Sequence, residues 1–292
     1  MKKLLLIVNP CAGQKRANKY LTDIVGLFCA QEYDCTVFVT GGRGDAARKA
    51  EEGASCFDRL VCIGGDGTFN EMLSGIRRAG IDVPVGYIPA GSTNDFASSL
   101  KLPKNILKAA ELAAQGQEHR LDIGTFNGRC FSYVASFGAF TEASYSTPQQ
   151  AKNLLGHLAY ILQGIKDLPS IKPIHVHAET ENCVIEGDYV FGTVSNSTSI
   201  AGIVTLHDEL VDMSDGLFEL ILVKMPQNAV QLGNIIRAIQ THDLAAEEIV
   251  FLKTAKVLIQ TQGCGWTLDG EYQEGCESIE IVNQHHAVRF IK

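Results

Sequence analysis

Gly64-Gly65-Asp66-Gly67-Thr68-Phe69-Asn70-Glu71 is the stretch whose reading decides the fold. It follows the apolar run Leu60-Val61-Cys62-Ile63 and leads into residues 68–78, where apolar side chains recur at helical spacing. The octet is therefore predicted to be a strand-to-helix turn. Glycines in such a turn permit positive φ and let backbone N–H groups approach a ligand with no Cβ in the way. The N-terminus of the following helix adds partial positive charge, which suits a phosphate. Asp66 would repel that phosphate unless a cation lies between them, and magnesium resolves the conflict. A packing turn capped by Thr68 would also use glycine, but it has no need of the whole octet. Nucleotide binding is the reading taken.

Working outward, strands are expected at residues 3–8, 35–40, 59–63 and 85–88. Helices are expected at 15–28, 45–52, 68–78 and 104–114. This alternation predicts a parallel sheet covered by helices on both faces, with ligands at the carboxyl ends of its strands. Two further loops fall on that edge: Asn9-Pro10-Cys11-Ala12-Gly13 after the first strand, and Gly91-Ser92-Thr93-Asn94-Asp95-Phe96 after the fourth. Asp95 brings a second carboxylate, and Thr40 ends the second strand at the same edge. Beyond residue 127 the rhythm changes to strand-like runs at 130–137, 173–180, 183–194, 216–223, 257–260 and 277–282, with helices at 151–167 and 227–241. The expected division is an α/β nucleotide-binding domain over 1–127 and an antiparallel, β-rich substrate domain over 128–283.

Composition narrows the function. The 292 residues are 46% apolar and 20% charged, a globular balance. No apolar run approaches the roughly 20 residues that span a bilayer. Lys2 and Lys3 precede an apolar run, but Asn9 and Pro10 stop it, so a signal peptide is not expected and the protein is read as cytoplasmic. A net charge of −8 argues against a nucleic-acid partner and against strong electrostatic anchoring to anionic lipid. The nine cysteines show no C-x-x-C spacing and read as reduced thiols. His175 with His177, and His285 with His286, lack a third ligand nearby in sequence, so no metal is assigned to them.

Taken together, Asn9-Pro10…Gly13, residues 64–71 and residues 91–95 resemble the diacylglycerol kinase catalytic family, in its bacterial lipid-kinase branch. The likeness continues through Asp212-Met213-Ser214-Asp215-Gly216-Leu217 and Leu268-Asp269-Gly270-Glu271, so it covers nearly the whole chain in order. It implies a Rossmann-like N-terminal domain related to phosphofructokinase and NAD kinase, and a β-sandwich C-terminal domain. It also implies that the last strand, about 284–292, returns to the first domain. Implied nucleotide contacts for ATP are Asn9, Thr40, Gly64, Gly65, Asp66, Gly67, Thr68, Phe69, Asn70 and Thr93. A magnesium-linked acidic network of Asp66, Asp95, Asp269 and Glu271 is implied, as is a structural magnesium held by Asp212, Asp215 and the carbonyl of Leu217. One departure stands out. Where the family often has three glycines before its D-G-L segment, this chain reads Thr198-Ser199-Ile200-Ala201-Gly202-Ile203.

Phosphoryl transfer needs ATP and acceptor held in line, charge neutralised by metal, and a carboxylate to take the acceptor's proton. Asp269 or Glu271 could take it; if their stretch is extended, the two share one face of a strand. Asp269→Asn and Glu271→Gln are both expected to leave the fold undisturbed. Asp269-Gly270 by itself also reads as a β-turn. The expected activity is magnesium-dependent transfer of the γ-phosphate of ATP to the hydroxyl of diacylglycerol or a related lipid, by a protein peripheral at the membrane surface. A sphingoid base or ceramide, or NAD, is the alternative acceptor within this fold group. A silent nucleotide sensor is the alternative class. Homodimerisation is left open.

Overall fold

The computed structural model describes residues 1–138, 173–200 and 204–292. The helix expected at 151–167 and the departure at 201–203 lie outside those residues. The described chain forms two compact units, one of Met1–Ile123 with His285–Lys292 and one of Gly124–Gln284.

The first unit is a parallel sheet with helices on both faces. Strands β1 (Lys2–Val8), β2 (Tyr33–Val39), β3 (Arg59–Gly64) and β4 (Val85–Pro89) lie in the order β2-β1-β3-β4, each pair parallel. Near-continuous apolar runs make these strands, as burial on both faces requires. Side chains alternate between faces, so Leu4, Leu6 and Val8 of β1 pack with Ile24 and Phe28 of helix α1 (Arg16–Cys29) and with Ile106 and Ala110 of α5 (Ile106–Gln115). Helices α2 (Asp45–Gly53) and α3 (Asp66–Ala79) pack on each other and on the sheet; Gly53 of α2 lies against the Leu5 side chain. A short helix, α4 (Asp95–Ser99), follows β4.

The second unit is antiparallel throughout its described pairings. Its strands are β6 (Arg129–Phe131), β7 (Val134–Gly138), β8 (Ile174–Thr180), β9 (Val184–Ser195), the two-residue pair β10 (Ser199–Ile200) and β11 (Val204–Thr205), then β12 (Phe218–Lys224), β13 (Ile249–Thr254), β14 (Lys256–Gln260), β15 (Trp266–Leu268) and β16 (Glu271–Gln273). Helix α6 (Ala229–Thr241) lies between β12 and β13, and Asn228 caps its first turn. Strands β5 (Glu118–Phe126) and β17 (Ser278–Ile291) each run through residues of both units and pair with one another. The core gathers Phe137, Val194, Leu220, Leu222, Val257, Ile279 and the lone Trp266, with Phe137 and Trp266 rings 4.6 Å apart. Truncating an aromatic side chain buried in this way typically costs about 3–5 kcal/mol.

Among the differences from the sequence expectation, which include the unexpected strands β5, β15 and β16, two have a physical cause visible in the pairings. The single strand expected at 130–137 breaks at Ser132-Tyr133, because their N–H groups, with that of Val134, point into the Asp269 carboxylate rather than into a ladder. Strand β13 was not expected; its role is to pair with β12 from Phe218↔Thr254 to Val223↔Ile249. That register sets Glu219 directly opposite Lys253, while Ser195 of β9 faces Glu219 from the other side.

Glu219 is fully buried, and burial pushes its pKa up to about 8, with Lys253 opposing. The folded value lies above the unfolded one. This group's contribution to stability is therefore complete below about pH 4.5 and lost as pH rises through about 8. Urea unfolding between about pH 5 and pH 9 should show a decline that Glu219→Gln flattens. Equal declines in both proteins would contradict it.

Candidate active site

Three loops meet at the carboxyl edge of the parallel sheet. Asn9, just past β1, donates its side-chain amide to the Thr68 hydroxyl at 2.9 Å, and its own side-chain oxygen accepts from Cys11 N–H. Gly13 has φ +50°, and a Cβ there would lie 1.9 Å from the Ala90 carbonyl oxygen, so only glycine lets the first loop touch the third. A Cβ on Gly91 would come within 2.7 Å of the Gly65 Cα. The three loops are thus in backbone contact. At Gly65 itself a Cβ would meet nothing nearer than 3.5 Å.

Helix α3 begins at Asp66, two residues earlier than its apolar spacing suggests, with extended Gly65 as N-cap. Thr68 is therefore inside the helix rather than its cap, and the Asp66 carboxylate stands in the first turn. The Tyr87 hydroxyl donates to Asp66 Oδ1 at 3.0 Å, and Phe96 N–H to Oδ2 at 3.4 Å. Asp95 immediately precedes Phe96, so the structure places both acidic residues at this edge, each half-buried. Asn94 holds the third loop in a left-handed turn, donating to the Gly91 carbonyl. Gly64, Gly67 and Asn70 belong to the same turn and helix start, and Thr93 is exposed in the third loop. Phe69 departs from expectation. Its ring is buried, stacked on Tyr87 at 4.6 Å and on Phe96 at 5.2 Å, so its side chain supports the loops from below. The Thr40 hydroxyl is likewise turned inward, to the Val8 carbonyl.

In the second unit Asp269 and Glu271 do not share a strand face. Asp269 and Gly270 both have positive φ and form the two-residue hairpin turn between β15 and β16, closed by Leu268↔Glu271. The buried Asp269 carboxylate accepts N–H groups from Ser132, Tyr133 (3.0 Å) and Val134 (3.1 Å). Burial pushes its pKa up to about 6 against the pull of those amides. Glu271 remains 40% exposed and is 3.4 Å from Arg129. Of the two carboxylates, the one on Glu271 is accessible to another molecule.

Asp212 and Asp215 cap their own loop. Asp212 accepts from the N–H and hydroxyl of Ser214, and Asp215 Oδ1 accepts from Leu217 N–H. His175 and the half-buried His177 lie beside the carboxylates of Glu186, Asp188 and Glu179. The structure does bring a carboxylate to the other histidine pair. Asp122 Oδ1 accepts His286 N–H at 2.7 Å and lies 3.1 Å from His285 Nδ1. The two imidazoles stack at 3.7 Å with planes 25° apart, and one ligand atom of each of the three residues lies within 4.8 Å of the others. The contacts to Asp122 tie this part of β17 to β5.

The architecture recurs in solved proteins. A crystal structure of a diacylglycerol kinase from Bacillus anthracis superposes with a TM-score of 0.77 over 99% of this chain and 96% of that one, at 24% identity. A second crystal structure from that organism gives 0.80 at 26% identity, over 99% and 95%. The diacylglycerol kinase catalytic domain family matches residues 3–126. The diacylglycerol kinase of Bacillus subtilis is 32% identical across 100% of this chain and 96% of its own. That of Staphylococcus epidermidis is 31% identical across 93% and 86%. The chain belongs to the diacylglycerol kinase family. It is a kinase, and its fold is the α/β, NAD-kinase-like architecture with a strand-rich second part that the sequence led one to expect.

The geometry of the kinase's Asp269 revises one expectation. Asparagine at 269 would turn an NH2 group toward backbone donors where the carboxylate has only acceptors. Asp269→Asn should therefore lower unfolding stability by roughly 1–3 kcal/mol, with Glu271→Gln close to neutral. Chemical denaturation of the two variants checks this, and equal stability would show that the amide triad does not need the carboxylate.

Proposed function

We propose that this kinase transfers the γ-phosphate of ATP to the free hydroxyl of diacylglycerol, with Mg2+ as its divalent ion. The observation that supports it most is the sheet edge where Gly13 and Gly91 let the three loops pack backbone to backbone and Gly65 stays open beside the Asp66 carboxylate. Bare backbone and a helix N-terminus suit phosphate; a carboxylate in the same place suits a cation between them. Asp66 fits such an ion. Its carboxylate is half-buried in the first turn of α3, where it accepts the Tyr87 hydroxyl and, at longer range, Phe96 N–H, and Asp95 stands one residue from that N–H donor. When bound there, the ion supplies neutralisation of charge on the phosphate oxygens.

The chain's own groups do the rest of the work. The turn and helix start of residues 64–70 hold the phosphates through their open backbone N–H groups, those of Thr68 and Phe69 being already given to the Gly65 carbonyl; Asn9 fixes the first loop through Thr68, and Thr40 and Thr93 border the nucleotide. Glu271 accepts the acceptor's hydroxyl proton, because its carboxylate is accessible. Asp269 is a positioning residue that pins the turn to residues 132–134. Residues 1–127 with 284–292 form the nucleotide-binding domain in this reading, and residues 128–283 form the substrate domain. The acceptor is taken from the membrane surface by a peripheral, cytoplasmic protein. No helix among the described residues is long and apolar enough to cross a membrane.

Glu271→Gln should lower kcat on diacylglycerol by about 10²–10⁴-fold with ATP affinity nearly unchanged. Gly65→Ala should do the reverse. Its Cβ has room within the fold, so the unfolding curve stays put while ATP affinity drops. Steady-state assays and calorimetry separate the two. A Glu271→Gln enzyme with near-wild-type turnover would remove that residue from the chemistry, and unchanged ATP affinity in Gly65→Ala would move the phosphates elsewhere.

A further inference from the structure

The loop of Asp212, Asp215 and Leu217 does not fit the structural magnesium that the family resemblance implies. Magnesium takes oxygen ligands at about 2.0–2.1 Å in near-octahedral array, so the oxygens must be open to it on one side. Here the Leu217 carbonyl accepts the side-chain amide of Asn283 at 3.1 Å. Asp215 Oδ1 accepts Leu217 N–H, and Asp215 Oδ2 accepts the Lys253 ammonium at 3.0 Å. Asp212 Oδ1 is turned onto Ser214. A divalent ion on Asp215 Oδ2 would be forced against the Lys253 charge.

The reason Lys253 is there lies in the sheet. Cross-strand register sets it opposite Glu219, and its Nζ is 3.5 Å from Glu219 Oε1. Glu219 is fully buried, and no hydrogen bond reaches either of its oxygens among the described residues. Charging such a buried acid is strongly unfavourable, and the ammonium set between it and Asp215 is a group that favours the carboxylate form. The Lys253 side chain is 31% exposed, so it is not cut off from water. We infer that the Lys253 ammonium occupies the place of a structural cation, joining Asp215 of the loop to Glu219 of β12, so that this loop is held without metal. One monovalent side chain takes over what a bound ion would do, and the loop is fixed by folding alone.

The test is thermal unfolding of the nucleotide-free protein in chelator and in rising MgCl2, with ionic strength matched by NaCl. The wild-type midpoint should not respond to magnesium, and Lys253→Arg should behave likewise. Lys253→Met leaves the Asp215 and Glu219 carboxylates facing a vacated position. It should melt lower in chelator and gain a saturable rise of roughly 3–5 °C at ten times the half-saturating magnesium concentration. A folded Lys253→Met protein indifferent to magnesium overturns the inference. So does a saturable wild-type rise that Asp215→Asn abolishes, and that pair of proteins decides the question even if Lys253→Met does not fold.

Discussion

A carboxylate standing in the first turn of a helix, over backbone that only glycine can supply, is the constraint on which the first unit is built. Asp66 is held there by the Tyr87 hydroxyl and by Phe96 N–H. Tyr87 and Phe96 in turn stack with Phe69, so the acid rests on an aromatic support that continues to Phe290 of β17. The loops cannot be moved apart cheaply, because Gly13 meets Ala90 and Gly91 meets Gly65 through backbone atoms. A site of this kind is preorganised by packing rather than by its own polar contacts. That is what phosphoryl transfer asks of a protein whose main tasks are positioning and charge.

The second unit solves a different problem with carboxylates. Asp269 is buried and saturated with backbone N–H groups, Glu271 two residues on is accessible, and Glu219 is buried against a lysine. Environment separates three acids of similar intrinsic strength into a buried anchor, an accessible carboxylate and a buried acid beside a lysine. Only the second of these is suited to meet a substrate. The positive φ of Asp269 and Gly270 aims the anchor inward while releasing Glu271 outward.

Much of this was legible in the sequence, and what escaped it has a common cause. Strands β1, β3 and β4 declare themselves as short apolar runs because a parallel sheet buries both faces, and the glycines of the three loops mark its edge. The register of β12 against β13 is not written in either segment, so the meeting of Glu219 with Lys253 could not be foreseen. The break at residues 132–133 depends on Asp269, more than a hundred positions away. His285 and His286 appeared to lack a carboxylate for the same reason, since Asp122 reaches them only through the pairing of β5 with β17. Phe69 was read as a nucleotide contact because it lies inside the glycine octet, yet helix α3 turns its ring into the core. Local spacing identifies edges, turns and periodic faces; pairings distant in sequence decide which acid is buried and which is left open.

The central claim concerns what receives the phosphate. The most direct measurement offers the purified protein γ-labelled ATP and magnesium with a panel of acceptors: diacylglycerol in vesicles, a sphingoid base, ceramide and NAD. The account predicts label in phosphorylated diacylglycerol, well above every other acceptor and above ATP hydrolysis alone. Label that passes to NAD, or to none of the panel while ATP is still bound, would contradict it.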